Sequence, residues 1–336
     1  MPNKYNDRLY AIDALRGIAV LLVCWFHFTQ SNSMFLAEDS LIKLSGKYGF
    51  VGVDIFFVIS GFILTHVLLS VNYNSKLFHK FLLHRLIRLE PPYLASIIII
   101  LLLNYIASFW PQFNGLEPMS YISNIGYLFS HIGYLTGFLG FSWLNPVYWS
   151  LAIELQFYIL IGVFFPLLIN LRSQVPLTLF LLSFLSLLDI KEVWILEYLP
   201  IFILGMFAAM HYNNILKSPI FYILEIAVLS ILVIDGEALS AIVALVSILC
   251  IYWKFLGSIK VLVNLGTISY SLYLLHWPIG SKVINLAQRM EYSNNLLFQI
   301  VVIFIALVSS LIAATLLYFF VEKPSIKWAK NISYRG

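Results

Sequence analysis

The stretch ALRGIAVLLVCWFHF, residues 14–28, decides the fold. It is almost wholly apolar and, with its flanks, reaches the roughly 20 residues that a membrane-crossing helix needs. Yet it carries Arg16 and His27. Ionisable groups inside hydrocarbon are costly, and a segment that keeps them usually has a use for them. Eleven residues of helix separate the two, a rise of roughly 16 Å that leaves them on one face at different depths.

The rest of the chain agrees with a bilayer setting. Of its 336 residues, 61% are hydrophobic and 11% charged, and mean hydropathy is +0.91. Soluble domains run near 25% charged and 45–50% apolar, so an ordinary soluble domain is excluded. Cys24 and Cys250 both fall in apolar runs, and no disulfide framework is expected. The first apolar run lacks a small-residue cleavage site, so it is not expected to be a cleaved leader.

Runs of about twenty apolar residues place spanning helices near 10–30, 50–70, 91–110, 147–169, 177–190, 198–213, 219–235, 238–253, 262–284 and 296–320. Residues 119–146 are apolar but hold Gly126, Gly133, Gly137 and Gly140, which suits a re-entrant or interfacial piece better than a span. With ten spans and the amino terminus inside, only Lys43, Lys47, Lys191, Lys282 and Arg289 of the 20 lysines and arginines fall outside. That asymmetry is what the positive-inside rule requires. The expectation is therefore an all-α polytopic membrane protein, one domain over 1–336, with both termini cytoplasmic.

The ionisable groups sort into two layers. Arg16, Arg85, Arg88 and Glu322 fall toward the inner boundary. His27, Asp54, Glu154 and His276 fall toward the outer one, with Ser150 one turn from Glu154 on the same face. The inner layer suits an anion such as phosphate, for which Arg offers a planar fork of donors. The outer layer suits proton transfer, since an imidazole paired with a carboxylate can act as general base. Glu154 either orients His27 or binds an acceptor hydroxyl. The rise from Arg16 to His27 is comparable to a pantetheine arm, taken as four or five extended residues, roughly 15 Å. A coenzyme A thioester would then keep its phosphates inside and present its acyl group within the membrane. The seven histidines are scattered singly and no cysteine pair exists, so no metal site is expected.

Each residue also has a plainer reading. Arg16, with Asp13 one turn away, can snorkel to the interface. His27, between Trp25 and Phe28, can belong to an aromatic belt. Arg85 and Arg88 share a cytoplasmic loop with Lys76 and Lys80, which topology alone explains. Asp54 and His276 can serve as caps or hydrogen-bond partners. Tyr270, Tyr273, Trp149 and Ser150 are expected to pack or hydrogen-bond between helices, although Trp149 can instead stack on a sugar face.

Six stretches in order, IDALRGIAVLLVCWFHF, GVDIFFVISGF, HRLIRLEPPY, VYWSLAIELQFY, ISYSLYLLHWP and VEKP, run almost end to end. Through them the sequence resembles the acyltransferase-3 family of bacterial integral-membrane acyltransferases, which includes O-antigen and exopolysaccharide O-acetyltransferases. The resemblance implies ten spans, cytoplasmic acyl-CoA (most simply acetyl-CoA) as co-substrate with no bound cofactor, and a saccharide or other hydroxyl acceptor, lipid-linked or not. It also implies the bacterial inner membrane and its lipids as the setting, and no nucleic-acid partner. It points to Arg16, His27, Arg85, Arg88 and Glu154 as functional positions. Glu90, before Pro91, departs from the family pattern and could temper the charge of Arg85 and Arg88. The rival class is a transporter or flippase for a lipid-linked saccharide, which would also use intramembrane Arg, Glu and His.

Overall fold

The computed structural model describes residues 4–30, 35–109, 124–170, 175–188, 193–290 and 295–332, with the side chains of 4–9, 166–170 and 254 left aside. The expectations for residues 119–123 and 189–190, and for Arg172, Lys191 and Arg335, lie outside the described residues. Everything described is helix, turn or loop, with no strand. Along the chain run α1 (Lys4–Gln30), α2 (Leu41–Gly46), α3 (Gly52–Ser70), α4 (Phe78–Ser108) and α5 (Ile125–Ile132). They are followed by α6 (Tyr148–Asn170), α7 (Val175–Ser183), α8 (Ile195–Tyr212), α9 (Ser218–Ile234) and α10 (Ala238–Tyr252). Last come α11 (Lys260–Thr267), α12 (Ser269–Ala287), α13 (Leu296–Leu317) and α14 (Lys323–Lys330).

Six segments among the described residues are long and apolar enough to cross a membrane: Tyr10–Gln30, Leu41–Ser70, Ser75–Ser108, Tyr148–Phe165, Ile195–Tyr212 and Leu296–Lys330. The remaining expected spans are shorter. A helix of 17 residues such as α9, or 15 such as α10, rises about 22–26 Å, less than the roughly 30 Å hydrocarbon core. The expected ninth span is broken at Ile268 into α11 and α12. Its start lies against α1, where the backbones come close enough that a Cβ on Gly17 would meet the Leu262 carbonyl and one on Gly266 the Asp13 carbonyl.

Two apolar cores hold the bundle. One gathers α3 with α6–α10, and the other gathers α4, α12 and α13 with the 127–151 segment. Helices α1 and α6 belong to both: Leu15 and Phe157 pack in the first, Val23 and Leu151 in the second. A polar cavity between α1 and α6 therefore lies at the seam of the two cores, with Phe57 and Leu64 of the first and Leu151 and Tyr273 of the second among its walls.

The described part of the ambiguous stretch, 124–146, forms α5 and a series of turns, not a span. Its polar groups are spent internally. The Tyr127 hydroxyl donates to the Ser142 carbonyl (3.0 Å), His131 Nε2 accepts from the Leu144 N–H (3.0 Å), and Asn145 Nδ2 donates to the Leu274 carbonyl (2.9 Å). This cap seats on α4 and α12 and buries the start of α6, where Asn145 and Tyr148 are 0% exposed.

Candidate active site

A narrow cavity of about 100 Å³ is lined by Arg16, Arg85 and Arg88, by Glu154 and Glu322, and by the hydroxyls of Ser60, Ser150, Tyr158, Tyr270 and Tyr273. Helix α3 follows it from Val53 to Leu64, eleven residues or about 16 Å of rise. The cavity is thus long and thin, the shape for an extended chain more than for a ring.

Arg85 and Arg88 are not in a loop. They lie inside α4, which runs unbroken from Phe78 through Pro91 and Pro92. The proline pair suggests a boundary, because proline disfavours helix in the residue before it. Here the helix continues, and the missing proline N–H groups release the carbonyls of Ile87 and Arg88 from the ladder. Arg85 is 5% exposed, its guanidinium 5.6 Å from the ring centres of both Phe81 and Tyr158. These rings fix its plane and help to make up for lost water.

Glu154 also departs from expectation. It does not sit in an outer layer with His27; it lines the same cavity as the arginines. Its Oε1 accepts from Ser60 Oγ at 2.7 Å and from the Tyr158 hydroxyl at 2.5 Å. Glu322 is its counterpart below, accepting from Ser271 Oγ at 2.5 Å and the Ser271 N–H at 3.2 Å. Glu322 closes a π-helical turn, Tyr318–Glu322, a local widening of the helix often found at functional sites. Among the described residues both carboxylates are held by neutral donors, and neither forms an ion pair with Arg16 or Arg88. Arg16 has only Asp13, at 3.9 Å. Asp13, Glu154 and Glu322 all act on Arg16 through space, and Asp13 and Glu322 act on Arg88.

The tyrosines and Ser150 tie the walls together. The hydroxyls of Ser150 and Tyr273 are 2.6 Å apart, and Tyr270 donates to the Leu89 carbonyl at 2.9 Å. Above them Phe56 meets Tyr273 edge-on with centroids 5.7 Å apart. Beyond this pair lie the imidazoles: the His276 ring is 5.9 Å from Tyr273 and 5.2 Å from His27. His27 is half-buried and does not line the cavity; the Phe56–Tyr273 pair stands between. His276 is 0% exposed, and its Nδ1 faces only the carbonyls of Leu272 (3.1 Å) and Tyr273 (2.8 Å). That fixes the proton on Nδ1 and leaves Nε2, which has no partner among the described residues, as an acceptor. Asp54 joins neither group, lying against Ser240 and Glu237 of the α10 end.

Sequence reasoning missed Ser60 and Tyr158 as cavity residues, and it placed Glu322 with the arginines at the inner boundary without giving it a role. Tyr158 was within reach, since it stands four residues from Glu154 and so on the same face. Nothing in the sequence pairs Ser60 with α6, and the π-helical turn that aims Glu322 has no signature in hydropathy.

The described residues thus form an all-helical membrane protein that gathers three arginines and two carboxylates around one slender cavity. The chain belongs to the acyltransferase-3 family: the family's acyltransferase-domain model matches residues 9–319. Among its relatives are the peptidoglycan O-acetyltransferase OatA of Listeria monocytogenes, 32% identical over 45% of this chain and 23% of that protein, and the O-acetyltransferase OatA of Staphylococcus aureus, 32% identical over 56% and 30%. The putative peptidoglycan O-acetyltransferase YrhL of Bacillus subtilis is 27% identical over 96% of this chain and 55% of that protein. The chain thus spans between about a quarter and about half the length of these curated relatives. No solved structure matches it.

Proposed function

We propose that this chain is an O-acetyltransferase of the bacterial inner membrane, with ten spans and both termini in the cytoplasm, that moves an acetyl group from cytoplasmic acetyl-CoA to a hydroxyl of a cell-envelope glycan. The observation that carries this reading is the cavity that holds Arg16, Arg85 and Arg88 along one 16 Å groove of α3. Arg85 and Arg88 take the phosphates of the donor, and the pantetheine arm runs past Arg16 toward the Phe56–Tyr273 pair. His27 removes the proton from the acceptor hydroxyl as that oxygen attacks the thioester carbon. The carbon–sulfur bond breaks, coenzyme A leaves as thiolate, and the imidazolium returns the proton to sulfur. Arg16 steadies the negative charge on the carbonyl oxygen. The acceptor hydroxyl belongs to a saccharide, and the peptidoglycan named for the relatives is the first to test.

Reaching His27 requires the Phe56–Tyr273 pair to turn aside, a side-chain motion and not a change of fold. The test uses membranes carrying the whole protein, with labelled acetyl-CoA and peptidoglycan fragments. The wild type transfers label to glycan, and His27→Ala abolishes transfer while the protein stays inserted. Full transfer by His27→Ala overturns the site. Saccharide movement across the membrane without donor consumption overturns the acyl-transfer reading in favour of a transporter.

A further inference from the structure

A second cavity opens beside the first, at the end of the bundle where α6 and α8 begin. It measures about 400 Å³ and is walled by Tyr134, Phe138, Trp143, Trp149 and Tyr198. Volumes of roughly 300–1,000 Å³ are usual for small-molecule sites. Trp149 and Tyr198 face each other at 5.4 Å with 38° between their planes. The wall is braced from behind, where Gln156 Nε2 donates to the Val193 carbonyl (2.8 Å) and its Oε1 accepts from the Ile195 N–H (3.0 Å).

Two features argue against a merely greasy void. Trp143 and Trp149 are only half-buried, and their indole N–H groups have no protein acceptor among the described residues, which leaves them open to a ligand's oxygen. Flat apolar faces with unspent donors at their edges match a pyranose, which pairs an apolar C–H face with hydroxyl and acetamido oxygens at its rim. A lipid chain would leave both donors unused.

The second feature is closeness to the arginine cavity. A small space of about 10 Å³ has Tyr134 in common with the aromatic side and Leu151, Glu154 and Tyr270 in common with the charged side. At the junction Tyr134 adopts φ +56°, a left-handed backbone that a bulky residue rarely takes. It is held there by its ring, stacked on Tyr93 with centroids 4.6 Å apart, and by a hydrogen bond from its hydroxyl to Glu90. Strain of this kind persists where the surroundings enforce it, often at ligand clamps. Glu90 thus sits at this junction.

We infer that the aromatic chamber is the acceptor subsite, seating one sugar ring of the glycan between Trp149 and Trp143 while its reactive hydroxyl passes Tyr134 toward the donor. This rests on the acyl-transfer reading above.

The test has two arms. In the first, transfer is measured against a β-1,4-linked N-acetylglucosamine disaccharide and against acetyl-CoA. Trp149→Phe, which keeps a ring and loses the donor, raises the acceptor KM a few-fold, and Trp149→Ala raises it about tenfold or more, with the donor KM unmoved. An unchanged acceptor KM, or equal movement of both KM values, overturns the inference. In the second, a diazirine-bearing form of the same disaccharide is photolysed with the wild-type protein in nanodiscs. Label on residues 134–149 or 193–198 supports the chamber. Label confined elsewhere, no label, or a co-purified lipid that the sugar does not displace overturns it, whatever the Trp149 variants do. Failure of the acyl-transfer reading is distinct: the wild type would then consume no acetyl-CoA with any sugar.

Discussion

Around Arg16 the bundle gathers charge, while around His27 it gathers rings. The lower cavity holds three guanidiniums against two carboxylates, and those carboxylates are satisfied by hydroxyls of Ser60, Tyr158 and Ser271. The upper end holds two imidazoles 5.2 Å apart, capped by Phe28 and separated from the charged cavity by Phe56 and Tyr273. The contrast teaches a division of labour. Neutral donors satisfy the carboxylate oxygens of Glu154 and Glu322, so their charge acts on the arginines through space and not through direct ion pairs among the described residues. Among the described residues the rings that flank these imidazoles are Phe26, Phe28 and Tyr273.

The sharpest way to break this contrast is to remove the cation nearest the seam. Arg16→Ala is expected to lower kcat/KM for acetyl transfer by at least about 100-fold, the scale of losing a donor to a developing oxyanion. Arg16→Lys keeps charge without the planar fork and remains well below wild type. A near-normal rate in Arg16→Ala would show that the arginine only snorkels. Next in size, Arg88→Ala is expected to raise the donor KM by about tenfold or more, as for a charge-assisted hydrogen bond, with a smaller effect on kcat. A fall in kcat at constant donor KM would move Arg88 from donor binding to the chemistry and blur the two ends into one.

His276 tests the upper end. Its Nδ1 proton is tied to two backbone carbonyls, so Nε2 can only accept, and its ring centre lies 5.2 Å from that of His27. As a positioning residue it should act on kcat. His276→Ala is expected to lower kcat by about tenfold with the donor KM unchanged, below the roughly 10²–10⁴ that a general base itself contributes. Equal loss in both parameters would assign His276 to packing alone.

Much of this was legible from hydropathy and motifs. The apolar runs locate α1, α3, α6 and α13, and the spacing of Arg16 and His27 places them at different levels of one helix. Depth on the other helices was not legible. Glu154 stands six residues into α6, which on a helix beginning at a membrane surface would be shallow. The 124–147 cap buries that beginning, and Glu154 meets Ser60 in the middle of α3. The apolar run that begins at 91 leaves Arg85 and Arg88 in a loop with Lys76 and Lys80, while the packing of Phe81 and Tyr93, both 0% exposed, carries the helix through. The chamber beside α6 was visible only as one tryptophan with two readings. Its other walls come from residues 134–143 and 193–198, which only the tertiary fold assembles.

The seam between α3 and α8 offers the smallest effect on chemistry and the cleanest control on the comparison. Gly61 and Gly205 let these helices touch: a Cβ at Gly61 would strike the Phe202 carbonyl, and one at Gly205 the Val58 carbonyl. Small residues are what allow such close backbone approach between apolar helices. Because α3 lines the charged cavity with Ser60 and Ile63 and faces the other core with Phe62, pushing it away from α8 strains the scaffold without touching any proposed reacting group. Gly61→Ala is therefore expected to cost about 1–3 kcal/mol of stability, the usual range for overpacking, seen as a lower unfolding temperature in detergent. The donor KM and acceptor KM should then move by less than about threefold at a temperature where the variant remains folded. If Gly61→Ala instead shifts the donor KM alone, the groove along α3 is set by this seam, and the charged cavity is less rigid than its hydrogen bonds imply.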